Sequence, residues 1–200
     1  MVEFAILLPL LVMLFSGMVE FGFMLNSYLS LLDATRQAAR LYSNTTPFYL
    51  DTATNTIMDD LNFYLDCAQS AVDILAPPTD AGARQIALNS LSDDVIVSVL
   101  SVSVDTAPDP DVISTIVRYP AGSLFYSLYG NHGSAYTDTD IENFMTQNNR
   151  IPVETGILIV EVYYDYRGVL KLPWVEAFMS DDNPVQLHAS TIMPLVAAKP

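Results

Sequence analysis

Basic residues are scarce in this chain. Its 200 residues include 8 Lys+Arg against 23 Asp+Glu, a formal net charge of −15, and the only lysines are Lys171 and Lys199. With no basic stripe to neutralise phosphates, the composition argues against nucleic-acid binding. The same sign disfavours docking on anionic lipid headgroups. Cysteine is nearly absent: Cys67 stands alone, so no intrachain disulfide can form and the fold must be held by its core or by neighbouring subunits. Histidine occurs only at His132 and His188, and no Cys/His cluster has zinc spacing. There is also no Gly-rich phosphate loop and no nucleophile elbow. These absences leave no catalytic, cofactor-binding or metal-binding residue to name, and the chain reads as non-enzymatic. A site built from either histidine and a distant Ser or Asp is the remote rival. The acidic groups Asp105, Asp109, Asp111 and Asp138, Asp140, Glu142 lack the EF-hand pattern and read as solvated turn carboxylates.

What is abundant is apolar. Hydrophobic residues make up 51% of the chain and charged residues 16%, the latter well below the usual ~25%. Ser, Thr and Asn number 40 together, so hydroxyls and amides supply the solubility that charge does not, a pattern that fits an extracytoplasmic surface.

The apolar excess is concentrated at the start. Residues 2–25, VEFAILLPLLVMLFSGMVEFGFML, are long enough to cross a bilayer and are interrupted only by Pro9, Glu3 and Glu20. A removable signal peptide fits badly, because no basic leader precedes the run and no small-residue cleavage site follows it. The run is therefore expected to begin at a mature N-terminus or to have lost a leader. An ionisable group in hydrocarbon costs about 2.5 to 3.5 kcal/mol on insertion scales. No Lys or Arg lies within residues 1–35 to offset Glu3 or Glu20, so their partners are expected on another chain, or in a polar backbone or side-chain contact for Glu20.

From Asn26 onward a polar stripe of Asn26, Ser30, Asp33, Gln37, Arg40 and Asn44 recurs every three or four residues. Leu29, Leu32, Ala39 and Tyr42 fall elsewhere, so the same helix continues as an amphipathic one and is expected to pack on a head through those residues. It should stop at Asn44-Thr45-Thr46-Pro47, where the residue before proline avoids helix. That triplet before the proline is also a formal N-glycosylation sequon.

The segments Val2-Glu3-Phe4-Ala5, Leu8-Pro9-Leu10-Leu11, Gly17 with Glu20-Phe21-Gly22, and Ala34-Thr35-Arg36-Gln37-Ala38-Ala39-Arg40 together resemble the N-terminal region of TadE-like proteins. These are relatives of type IV pilins in the tight-adherence (Flp) pilus system. The resemblance covers about the first 45 residues well and the last 40 loosely. It implies processing by a prepilin peptidase, insertion in the inner membrane before assembly, and a head outside. It also implies subunit contacts through Glu3, Phe4, Pro9, Gly17, Glu20, Phe21 and Gly22, with Glu3 pairing to a neighbouring N-terminal amine. The corresponding family glutamate is normally fifth in the mature chain, whereas Glu3 is third here, and Phe23 stands where a basic residue is frequent.

In the remainder, residues 56–75 carry apolar side chains at helical spacing. A capping-box-like Thr56 and Asp59 open this second helix and Pro77-Pro78 close it. Residues 95–104 alternate, with a phase slip that suggests a bulge near Leu100-Ser101. Residues 112–119, 157–167 and 185–193 complete four strands of a mainly antiparallel sheet. The predicted architecture is α+β: an N-terminal helix of residues 1–46 covering the sheet of a head spanning residues 47–200, in the ladle form of type IV pilin-like proteins. Residues 121–154 read as one long irregular loop carrying Phe125, Tyr126, Tyr129, Tyr136 and Phe144, a candidate contact surface. The loop of residues 170–179, with Trp174, reads as an apolar flap on the sheet.

These observations and the resemblance lead to one expectation. The chain is a structural subunit that polymerises with itself or with other pilin subunits into an extracellular filament, served by the pilus assembly machinery. The alternatives are an accessory pilin that stays in the membrane and initiates or caps a filament, and a membrane-anchored binding module.

Overall fold

A computed structural model describes residues 2–77, 85–106, 111–147, 152–176, 178–180 and 182–198, with the side chains of residues 2–6 outside the description. Helix α1 (Val2–Tyr42) runs unbroken through Pro9. It ends with Ser43 and Thr45 N–H groups bonding back to Ala39 and Tyr42 carbonyls, five residues short of Pro47, as the pre-proline restriction requires. The amphipathic half lies on the head through Leu31, Ala34, Thr35, Ala38 and Ala39, all fully buried.

Residues 56–59 are not the start of a helix. They form strand β2 (Thr56–Asp59), paired antiparallel with β1 (Phe48–Asp51). Turn chemistry overrides helical periodicity here. The Asp51 carboxylate accepts from the Ala53 N–H and the Thr54 hydroxyl, bonds that also hold its pKa below the ordinary range. Asn55 takes the left-handed conformation with φ 53°, which Asn tolerates better than most residues. Helix α2 (Leu61–Leu75) then starts from Asp60, whose side chain accepts from the Asn62 N–H.

The main sheet has the order β4-β3-β6-β7, all neighbours antiparallel, from β3 (Asp94–Asp105), β4 (Val112–Tyr119), β6 (Thr155–Tyr166) and β7 (Val185–Pro194). The short β5 (Tyr126–Ser127) rejoins the edge of β3 that β4 leaves. Val95, Val97, Val99, Leu158, Val160, Val162 and Ala189 face α1 and α2. Leu100, Val102, Ile157 and Ile159 face the other way, against Ile141 of α3 (Asp138–Thr146). The phase slip in β3 therefore needs no bulge at Leu100-Ser101: both faces are buried, and the apolar residues simply change sides. The register shift occurs later, between Ser103 and Val104. The turn at residues 107–110 lies outside the described residues.

Helix α3 lies inside the segment expected to be irregular. It is opened by a reciprocal capping box between Thr137 and Asp140 and buries a single residue, Ile141, too short an apolar signal to stand out in sequence. Hydrogen bonds from Thr137 and the nearby Arg118 charge hold the Asp140 carboxyl below its ordinary pKa, while Arg118 pairs with Asp138 at 2.6 Å. Those carboxylates are helix-terminal anchors.

Cys67 lies wholly buried between α1, α2 and the sheet, and burial pushes its thiol up to about 12. A thiolate-directed reagent is expected to leave Cys67 unmodified in the native protein and to react with it fully after denaturation; native labelling at the rate of a free peptide thiol would contradict this packing.

Candidate functional site

The first half of α1 stands largely clear of the head. Leu7, Leu8, Leu10, Leu11, Leu14, Phe15, Met18, Phe21 and Leu25 are exposed. Among the described residues this is the one helix long and apolar enough to cross a membrane, by length and composition. Methyl groups added at Gly17 or Gly22 would meet nothing within 4 Å, so both glycines lie on open surface. Pro9 and Phe21 are likewise exposed. The side chains of Glu3 and Phe4 lie outside the described ones.

Glu20 differs from its neighbours. It is 1% exposed, and its carboxylate accepts hydrogen bonds from the Tyr166 hydroxyl at 2.6 Å, the Val169 N–H at 2.7 Å and the Leu170 N–H at 2.9 Å. The partner expected on another chain is thus on its own, 146 residues away at the end of β6. The loop after β6 and the short α4 (Pro173–Glu176) fold down along α1, and Trp174 Nε1 donates to Ser16 Oγ at 2.8 Å. This flap packs on the stem and not on the sheet, because it leaves β6 beyond the last strand pairing, where α1 is the nearest apolar surface. The approach is close at Gly168, where a Cβ would come within 2.9 Å of the Met179 carbonyl oxygen. Between flap and stem an open cleft of about 210 Å³ is lined by Met13, Gly17, Glu20, Trp174, Phe178 and Met179 among others.

Of the residues expected to pack α1 on the head, Ala39 is fully buried, and Leu32 and Tyr42 pack against the core. Tyr42 meets Phe63 edge-on at 5.6 Å. Leu29 instead points outward and is exposed; the buried stripe is centred on Ala34 and Ala38, one helical position round from the leucine stripe.

Two further buried carboxylates organise the long segment after β4. Asp94, fully buried, accepts from the Ser127 hydroxyl and from the N–H groups of Tyr129, Asn131 and His132. Glu161, also fully buried, accepts from Ser134, from the Ala135 N–H and from His188 Nε2. Four of the five aromatic residues named for a contact surface are half-buried beside this segment's anchors, their side chains still partly open to solvent. Phe125 touches Gly133, Tyr126 pairs in β5, Tyr129 is tied to Asp94, and the Tyr136 hydroxyl meets Ser190. Phe144, on α3, is exposed.

His132 and His188 stack on opposite sides of Tyr163 at 4.5 and 4.4 Å, and burial together with Glu161 pushes the Tyr163 phenol up to about 12. Ser134 and His188 address the same carboxylate, so no imidazole is placed to take the serine proton. Among the described residues no group of three or more His, Cys, Asp or Glu converges as a metal site.

Residues 1–40 match the family model of TadE-like protein. No curated protein and no solved structure matches the chain.

Proposed function

We propose that this chain is a structural subunit of a Tad-type, pilus-like filament, with the apolar half of α1 in the filament core and the acidic head outside. The carrying observation is the division of the matched helix into a bare half and a packed half. The family match ends at residue 40, and the matched helix is largely bare over residues 7–25 yet sealed onto the head from Leu31 to Ala39. A helix built that way keeps its head attached while offering its stem to lipid first and to other stems afterwards. Burying that surface against equivalent helices, at ~25 cal/mol per Å² once water would otherwise reach it, holds a filament together outside the membrane. In this reading residues 1–46 are the stem and residues 47–200 the head. The partners are further copies or other pilin subunits, a prepilin peptidase and the assembly machinery. The chain rests in the cytoplasmic membrane before assembly and at the cell surface after it.

The test is electron microscopy of the sheared cell-surface fraction, with mass spectrometry of any filaments. The repeating subunit is expected to be this chain, and Glu3→Ala is expected to reduce filament number severalfold while the head still folds. Wild-type filament number in that variant would remove the role of Glu3 in assembly.

One observation favours the accessory subunit. The flap occupies the side of α1 around Ser16 and Glu20, where a neighbouring stem would pack in a fully helical core. An accessory pilin would be scarce in the sheared fibres and retained in the membrane fraction, which would overturn the major-subunit reading.

A further inference from the structure

Arg36 and Arg40 are exposed, one turn apart on α1. They lie on the side away from the head, because Leu31, Ala34 and Ala38 seal the opposite side onto the core. Asp33 is beside them, but its carboxylate accepts from the Gln37 side chain at 2.7 Å. Neither arginine is in an ion pair among the described residues. In a chain with 23 Asp+Glu against 8 Lys+Arg, two neighbouring cations without a carboxylate run against the composition.

The matching anions stand on α2. Its inner side is buried through Phe63, Cys67, Ala68, Ala71 and Leu75, and its outer side exposes Leu61, Leu65, Asp66, Gln69 and Asp73. The helix contains no Lys or Arg. The height of these carboxylates follows from where α2 starts. Phe63 meets Tyr42, the last residue of α1, at 5.6 Å, and α2 packs along α1, so it runs back along the stem helix. At ~1.5 Å per residue in both helices, Asp66 is about level with Arg40, and Asp73 is about 6 Å below Arg36, within reach of an arginine side chain. Within one chain these groups form no pair. Between two copies standing side by side in one membrane, they face each other with no vertical offset.

We propose that Arg40 and Arg36 of one copy pair with Asp66 and Asp73 of a second copy beside it in the membrane, the arginine stems lying on the exposed Leu65. Because the two joined surfaces differ, each copy keeps one free face of the other kind and the contact propagates from copy to copy. Exposed ion pairs are individually weak; confinement of the stems to one bilayer supplies the local concentration at which they act. The proposal rests on the reading that α1 enters a bilayer, and not on filament formation.

Two full-chain variants, Gln37→Cys and Gln69→Cys, are mixed in phosphatidylcholine vesicles and treated with a short bismaleimide. Both positions are exposed and lie within the two charged faces, and the native Cys67 is buried. A cross-linked dimer is expected from the mixture and not from either variant alone. Adding Arg36→Glu and Arg40→Glu to the first chain is expected to lower the yield roughly tenfold, and adding Asp66→Arg and Asp73→Arg to the second chain to restore it. Loss without restoration overturns the assignment to α2. A yield insensitive to charge reversal overturns the ion-pair contact. Flotation with the vesicles but no dimer overturns the side-by-side contact and leaves membrane insertion intact, whereas failure to float overturns the insertion reading together with it.

Discussion

Replacing Glu20 by Ala is expected to detach the flap from α1 and to lower stability by about 3 kcal/mol or more. The substitution leaves the Tyr166 hydroxyl and the Val169 and Leu170 N–H groups without the acceptor they now share. Each buried donor left unsatisfied costs about 1 to 3 kcal/mol. Tyr166 is 2% exposed, so water cannot replace the carboxylate there without opening the end of β6. Glu20→Gln is expected to lose less, since the amide keeps one acceptor oxygen while turning N–H donors toward backbone donors. The readouts are the denaturant midpoint of the full chain in detergent and limited proteolysis. New cleavage within residues 167–180 should appear at denaturant concentrations where the sheet is still intact. Wild-type resistance in Glu20→Ala would show that the flap is held by apolar contact alone and that the carboxylate contributes little.

Asp94→Ala is expected to be as damaging, but in the head. Asp94 gathers the Ser127 hydroxyl and three successive-turn N–H groups, those of Tyr129, Asn131 and His132. A carboxylate taking several N–H bonds acts as the centre of a turn that has no ladder of its own. Removing it is expected to cost about 3 kcal/mol or more and to release the segment from β5 to α3. The stack of His132 on Tyr163 at 4.5 Å should be lost with it, which is visible as altered aromatic signals in NMR or near-UV circular dichroism. Asp94→Asn keeps one acceptor oxygen and should fall between. If Asp94→Ala unfolds at the wild-type midpoint with an unchanged aromatic spectrum, the segment is held by its aromatic packing and not by the carboxylate.

Both predictions concern carboxylates that sequence reasoning valued unequally. Glu20 could be singled out because it sits in an apolar run where an ion costs free energy, and the need for a partner followed from that cost. Which partner could not follow, since Tyr166, Val169 and Leu170 are distant in sequence and carry no charge to mark them. Asp94 and Glu161 gave no comparable signal: in a charge-poor chain of strands and turns, a carboxylate about to be buried looks like one left in water. The adjacent acid pair at Asp93 and Asp94 opening an apolar strand was the only available sign. Helix α3 was hidden for a related reason, because one buried residue, Ile141, makes no periodic stripe, although Thr137 and Asp140 formed a readable cap.

The long N-terminal helix, its division near Asn26, its end before Pro47 and the four antiparallel strands were legible in residue order. Each of these follows from local physics: apolar run length, side-chain periodicity, the proline restriction and alternation along a strand. Tertiary structure alone decided which way the stem's buried stripe points, with Ala34 and Ala38 inward and Leu29 outward. It also decided that β3 is buried on both faces and that Glu20 is satisfied within its own chain. Those outcomes depend on which surfaces are left over once strands have paired and helices have packed. That is a competition among distant segments, in which a hydroxyl and two backbone N–H groups at the end of β6 reach the stem's glutamate.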